Sequence, residues 1–286
     1  MSADFIAAII PFNGESVDDL LNAVTSVEAQ TVKCGKIYIV DNSLHSLASK
    51  QDWSTINMPL EVIVTTPNIG AAAARNIGIL AAIHFEYLAF LDSDDIWMPE
   101  KLEKQLQFMQ KYMLESSTTN FSLVKGEESR SRPLRVRKTK PPSSYLRCHL
   151  GMGSTLIIKR ALLLELECFD EKLFRFEDWD LVIRLEQRNH IIRILKVALS
   201  VVHRIPSKNW NLASEALNLL KAKHRQRSIQ SQIELQSGIF LERSVILFRN
   251  HHYFRGLVNL VFSGVMSYKN GLYILLLLKE RLSNKT

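Results

Sequence analysis

The chain predicts an α/β fold: a mostly parallel central sheet flanked by helices, followed by a helical C-terminal extension. Three observations carry this. Apolar runs of strand length recur at residues 5–10, 37–40, 60–64 and 87–91, and the first two are continuous, as in strands covered on both faces. Helix-period segments separate these runs, and strands alternating with helices imply crossovers that lay the strands parallel. The last run ends abruptly in Asp92-Ser93-Asp94-Asp95. Ionised carboxylates are costly to bury without partners, and ligands of such sheets bind beyond the carboxyl ends of the strands. The acids therefore mark a site, and clustered carboxylates suit a hard divalent cation that accompanies substrate phosphates.

The elements follow in order. After Phe5–Ile10 and the turn Pro11-Phe12-Asn13-Gly14, Ser16 is placed to cap a helix through about Ala29, with Leu20, Leu21, Val24 and Val27 inward. Ile37–Val40 is stopped by Asp41-Asn42-Ser43, and Leu60–Val64 leads into Thr65-Thr66-Pro67-Asn68-Ile69-Gly70. An alanine-rich helix spans about Ala71–His84 before the acid-ended strand. Pro99 suits the first position of the next helix, through Tyr112, and Asp95 is a candidate cap for it. Residues 116–147 read as a loop or excursion rich in Ser, Pro, Lys and Arg. Ser154–Ile158 and Ile191–Leu199 read as strands, with a short helix opened by Glu177-Asp178-Trp179-Asp180 between them. From Asn211 the pattern is helical, with a seam of Phe254, Leu257, Val258, Val261, Phe262 and Val265 at helical spacing.

Composition is that of a globular protein, with 47% hydrophobic and 23% charged residues. No apolar run reaches the roughly 20 residues that cross a bilayer; the tail run Leu272–Leu278 falls short. The start resembles no secretory leader, and three scattered cysteines fit reduced thiols, so a cytoplasmic location is expected. The net charge of +7 is uneven: residues 125–147 hold eight Lys/Arg against two Glu, and residues 200–286 hold thirteen against four. Basic appendages on an acidic body point to an anionic partner, either a membrane surface or a phosphorylated acceptor. Nucleic acid is not expected, because no stacking aromatics interleave with the basic residues. Neither G-x-G-x-x-G nor a P-loop motif is present.

Taken together, residues 4–205 resemble the inverting family 2 glycosyltransferases of GT-A (Rossmann-like) fold. Four blocks match in order: AIIPFN with a helix ending AQTV; IYIVDNS; NIGAAAARNIGI followed by YLAFLDSDDIWMPEKLE; and FDEKLFRFEDWDLVIRL. The resemblance implies a domain over residues 1–205, with a donor-binding half to about 115 and an acceptor half from about 150, and an extension over 206–286. It implies transfer of a sugar from a nucleotide-diphosphate donor to an acceptor hydroxyl, in polysaccharide, lipopolysaccharide or glycan synthesis. Asp92 and Asp94 resemble the D-x-D element that holds Mn²⁺ or Mg²⁺, with Ser93 between them among the donor contacts. Asp178 aligns with the catalytic base, and Glu177 would orient it or meet the acceptor. Pro11, Phe12, Asp41, Asn42, Asn68, Gly70 and Arg75 fall at donor-contact positions, and His203 where some relatives place a metal ligand. The chain departs from the pattern in two places: the first motif is one residue short, and Asp41-Asn42 stands where many members carry two acids, which leaves the base open. The implied partners are a nucleotide sugar and a saccharide or lipid-linked saccharide acceptor. The C-terminal helices suit peripheral contact at the inner face of the cytoplasmic membrane, or packing on the catalytic domain or a second subunit. A sugar-nucleotide-binding scaffold without turnover is the alternative function.

Overall fold

The computed structural model describes residues 3–124, 152–190, 192–203, 210–225 and 228–267. The basic run at 125–147, Cys148 and the apolar run 272–278 lie outside them. In chain order the elements are β1 (Ala3–Phe12), α1 (Val17–Glu28), β2 (Cys34–Asp41), a 3-10 turn (Ala48–Lys50), β3 (Leu60–Val64), α2 (Ala71–Ala81), β4 (Tyr87–Phe90), β5 (Ile96–Trp97), α3 (Lys101–Lys111) and β6 (Ser116–Val124). Then follow α4 (Met152–Thr155), β7 (Ile157–Lys159), α5 (Arg160–Glu165), α6 (Glu177–Gln187), β8 (Arg193–His203), α7 (Trp210–Lys223), α8 (Ile229–Arg249) and α9 (Tyr253–Met266). Two compact units result: residues 173–186 group with 210–267, and the other described residues form the first unit.

The first unit is a mixed sheet ordered β3-β2-β1-β4-β7-β6-β8-β5. β1 runs parallel to β2 and β4, β2 to β3, and β6 to β8; β7 is antiparallel to β4 and β6, and β5 to β8. Alternate residues of β1 (Ile6, Ala8, Ile10, Phe12) meet Leu20, Ala23, Val24 and Val27 of α1 in one apolar cluster. Ser16 caps α1 as expected, its Oγ accepting from the Asp19 N–H at 3.1 Å. Leu21 is not on the inner face: it is 42% exposed, and Ala23 is buried in its place. The α3 helix begins two residues later than Pro99 suggested, at Lys101.

The reading of 116–147 as an excursion fails at its start. Ser116-Ser117-Thr118-Thr119 is buried within the sheet, but this first half of β6 contains no apolar residue and so carries no hydropathy signal. Ser117 finds partners for its polar atoms, while the Thr118 and Thr119 hydroxyls are buried without one. Gln105 Nε2 on α3 lies 2.9 Å from the Ser117 carbonyl, 3.0 Å from its hydroxyl and 3.0 Å from the Thr155 carbonyl. Ser154 likewise sits on the short α4 turn, not on a strand.

Lys101 completes this layer. Its ammonium lies 4.2 Å from the centre of the Trp97 ring and donates to Gln105 Oε1 at 3.0 Å. Burial pulls its pKa down from 10.5 to about 7. A lysine that binds fewer protons folded than unfolded gives stability that is present above its unfolded pKa and lost as pH falls through the folded one. Thermal unfolding should therefore show wild type gaining on Lys101→Met as pH rises from 7 toward 9, by about 1 kcal/mol per unit. Parallel melting curves for the two proteins across that window would exclude this account.

The second unit has its own core. Trp179 and Ile183 of α6 pack with Leu217 and Leu220 of α7 and with Leu235 and Ile239 of α8. The α9 helix meets α8 through small residues: Ser237 Oγ donates to the Ser263 carbonyl at 2.6 Å, and Ser263 Oγ returns a bond to the Ser237 carbonyl at 2.8 Å. The apolar seam foreseen on this helix is real in spacing, but it faces outward. Among the described residues no helix is long and apolar enough to cross a membrane.

Candidate active site

The acid cluster is built where β4 leaves the sheet. Leu91 N–H still bonds the Ile9 carbonyl at 3.1 Å, and the chain then turns, closed by Asp95 N–H to the Asp92 carbonyl at 3.0 Å. Arg75 reaches over from α2 and donates from Nη2 to Asp92 Oδ1 at 2.6 Å. From α4, Ser154 Oγ accepts the Asp92 N–H at 3.1 Å and donates to the Asp95 carboxylate. The other Asp95 oxygen accepts the His203 N–H at 2.8 Å. Buried Asp95 thus ties β4, α4 and β8 together. It is not the cap of α3, whose first turn is instead met by Gln30 Oε1, which accepts the Leu102 N–H at 3.0 Å.

Crowding sets the electrostatics. Burial first, and the charge of Asp92 second, push Asp94 up to about 6. The same two causes raise Asp95 further. Like charges this close disfavour each other's ionised form, and an added cation relieves them. Asp92 and Asp94 both offer oxygen ligands, and Asp92 keeps 36% of its side chain exposed. Among the described residues no cluster of three metal-ligating side chains forms. Two carboxylates with phosphate and water completing the sphere is the mode Mg²⁺ prefers, so the residues fit such an ion. His203 Nδ1 bonds the main-chain carbonyl of Asp94. A carbonyl only accepts, so Nδ1 is the donor in this bond, and Nε2 is the ring nitrogen left for any ligand role.

Neighbouring strand ends bring the donor-side residues together, and here geometry redistributes the expected roles. The register pairs Phe12 with Asp41 and Asp41 with Val64. Asp41 is wholly buried: Oδ1 accepts from Ser43 N–H (3.0 Å) and hydroxyl (2.6 Å), and Oδ2 from Ala48 N–H (2.7 Å) and Ser49 N–H (3.3 Å). Its carboxylate folds the loop after β2 through these four bonds. Phe12, with no exposed surface, is core, so its ring lines no pocket. Its carbonyl receives both Asn42 N–H (2.9 Å) and Nδ2 (3.0 Å). That fixes the Asn42 amide and leaves its Oδ1 buried without a hydrogen-bond partner. Pro11 is buried on β1. Asn68, at φ 59°, donates its N–H to the Asn42 carbonyl at 2.9 Å. Gly70 precedes α2 at φ 88°, a conformation that favours glycine. Ser93 is buried within the acid turn.

Glu177 and Asp178 belong to the second unit, in the first turn of α6. Asp178 Oδ1 accepts the Trp179 N–H at 2.8 Å. Two residues on, Asp180 is buried and accepts from His224 Nε2 (2.9 Å), Lys223 (3.1 Å) and Arg184 Nε (2.7 Å). Burial alone would raise its pKa; these three cations or donors outweigh burial and hold it below the ordinary value.

Sequence reading missed Gly153 and Ser154. A Cβ at Gly153 would overlap the Asp92 carboxylate, and Ser154 bonds both Asp92 and Asp95. Their one signal was a Gly-Ser pair ahead of an apolar run, which suits any turn.

Comparison with known proteins agrees with this layout. Residues 7–168, more than half of the chain, match the family described as Glycosyl transferase family 2. The amylovoran biosynthesis glycosyltransferase AmsB of Erwinia amylovora is 24% identical over 216 residues, covering 70% of this chain and 69% of AmsB. S. aureus TarS 1–349, solved with UDP, superposes with a TM-score of 0.62 at 20% identity over 84% of this chain and 72% of that one. The mannosyltransferase PcManGT from Pyrobaculum calidifontis, solved with GDP-Man and Mn²⁺, gives 0.60 at 15% identity over 95% and 79%. The match spans 43% of the longer TarS chain. The sheet, its flanking helices and these structural likenesses are those of the GT-A fold. The chain belongs to glycosyl transferase family 2, with relatives in polysaccharide biosynthesis.

Proposed function

We propose that the chain is an inverting, metal-dependent glycosyltransferase that uses a nucleotide-diphosphate sugar and a saccharide or lipid-linked saccharide acceptor in cell-surface polysaccharide synthesis. The observation that carries this reading is the exposed Asp92 beside Asp94, braced by Arg75, Ser154 and Asp95, in a member of this family. Asp92 and Asp94 would hold Mn²⁺ or Mg²⁺, and that ion would act as a Lewis acid on the departing diphosphate. The Arg75 guanidinium, in its pair with Asp92, has a planar fork suited to phosphate oxygens. The unpartnered Asn42 Oδ1 would accept a ring N–H of the base. Uracil and guanine both present one, as an amide acceptor requires. TarS with UDP and PcManGT with GDP-Man are consistent with either choice.

Asp178 accepts the acceptor hydroxyl proton as that oxygen attacks the anomeric carbon, while the diphosphate leaves from the opposite face, so configuration inverts. Glu177 beside it orients the base or meets the acceptor. A thermal-shift screen of nucleotide sugars with and without Mn²⁺ tests the donor assignment. One nucleotide sugar should stabilise the protein, by about 2.7 kcal/mol at a hundredfold its Kd, and only with the ion present. Acceptor should then release the nucleoside diphosphate. A protein that no nucleotide sugar stabilises does not have this activity; one that binds donor but never releases nucleoside diphosphate is a scaffold.

A further inference from the structure

The α9 helix is built inside out for a helix on a soluble surface. Its polar and small residues face α8: Gly256 lies where a Cβ would come within 2.8 Å of the Phe248 ring, and Ser263 exchanges hydrogen bonds with Ser237. Phe254, Leu257, Val258, Val261 and Val265 lie on the outer side, with Phe254 at 78%, Val261 at 57% and Val265 at 79% exposed, while Phe262 stacks on Phe240 of α8 and stays half exposed. The helix cannot roll to hide them, because the Gly256 approach and the paired serine bonds fix its rotation. A 14-residue helix lays such a stripe over about 21 Å.

The charge around the stripe selects its occupant. From Arg243 to Lys279 the sequence has no acidic residue and five Lys/Arg. Beside the first turn of α9 lies a cleft of about 460 Å³ whose lining includes Trp210, Arg243, His252, Phe254, Arg255 and Asn259. Arg243 bonds Asn218 Oδ1 at 2.8 Å, yet its Nε is buried with no hydrogen-bond partner, and among the described residues neither Arg243 nor Arg255 has an ion pair. Apolar insertion and attraction to anionic headgroups act together on helices of this kind.

We propose that α9 docks on an anionic bilayer, its apolar stripe entering the headgroup boundary and the Arg243–Arg255 cleft taking a lipid phosphate. This gives residues and a lipid class to the peripheral membrane contact expected from the sequence, and it rests on the geometry of the second unit alone. The test is co-sedimentation of the full chain with vesicles of phosphatidylcholine, with or without phosphatidylglycerol. Wild type should bind the anionic vesicles more than tenfold better than the neutral ones, since each basic residue near the surface is worth about fivefold. Val261→Glu with Val265→Glu should abolish binding, and Arg255→Gln should weaken it about fivefold, both with unchanged melting curves. Three results would overturn the proposal. The variants bind like wild type; a chain ending at Ser267 loses all binding while the Glu variant keeps it, which makes 268–286 the anchor; or gel filtration shows a dimer that the Glu substitutions split while vesicles are ignored. Nucleoside diphosphate release by the same proteins is scored separately, so failure to bind vesicles and failure to transfer sugar are told apart.

Discussion

Asp178→Asn should lose between about a hundredfold and ten-thousandfold in kcat, the range for removing a general base, with donor and Mn²⁺ affinity unchanged. The substitution is clean for a structural reason. Asp178 Oδ1 accepts the Trp179 N–H, and an asparagine Oδ1 does the same, so the first turn of α6 keeps that bond. What disappears is the capacity to take a proton. Glu177→Gln should cost less, because a neighbour that orients a base is replaced more easily than the base. Steady-state rates with saturating donor, together with donor binding by calorimetry, measure both quantities. Wild-type turnover in Asp178→Asn would remove the residue from the mechanism.

Gly153→Ala, a change of a single methyl group, is expected to be damaging as well. Its Cβ would overlap Asp92 Oδ2 and stand 2.8 Å from Cγ. Asp92 is held on its other side by Arg75, and its N–H is tied to Ser154, so the carboxylate has to rotate out of its present position. The backbone should tolerate alanine well, because Gly153 lies in a helical turn, where alanine is preferred by about 0.5–1 kcal/mol. The expected result is a protein that melts no lower than wild type but loses about 10–100-fold in Mn²⁺ affinity and kcat/KM, the usual cost of disturbing the support of a metal ligand. Equal kcat/KM in the two proteins would show that Asp92 works from another rotamer.

The strand ends were legible because they break a rule visible in sequence: Tyr87–Leu91 is apolar, and the next residue is a carboxylate. The opposite case is β6, where Ser116-Ser117-Thr118-Thr119 is buried, with Gln105 bonding Ser117, and a polar stretch inside a sheet reads as a loop. Asp41 shows a third limit. An acid after a strand was visible, but not that four donors from Ser43, Ala48 and Ser49 would consume it. Periodicity drew the stripe on α9 correctly and could not say which side of the helix was covered. That was decided by Gly256 and Ser263, whose small side chains permit close approach to α8. Gly153 and Ser154 act through contacts with residues about sixty positions away, and no local pattern carries that information.

The Asp180 cluster makes the last eighty residues inseparable from the proposed base. Asp180 sits one turn into the helix that begins with Glu177 and Asp178, and two of its partners, Lys223 and His224, come from the end of α7. A chain cut after residue 205 would keep every family motif, but it would take Lys223 and His224 from Asp180, leaving Arg184 of the three. It would also strip Leu217, Leu220, Leu235 and Ile239 from Trp179 and Ile183 on the same helix. The minimal enzyme would therefore be longer than the stretch its signatures define, and trimming to those signatures would disturb the helix of the proposed proton acceptor first.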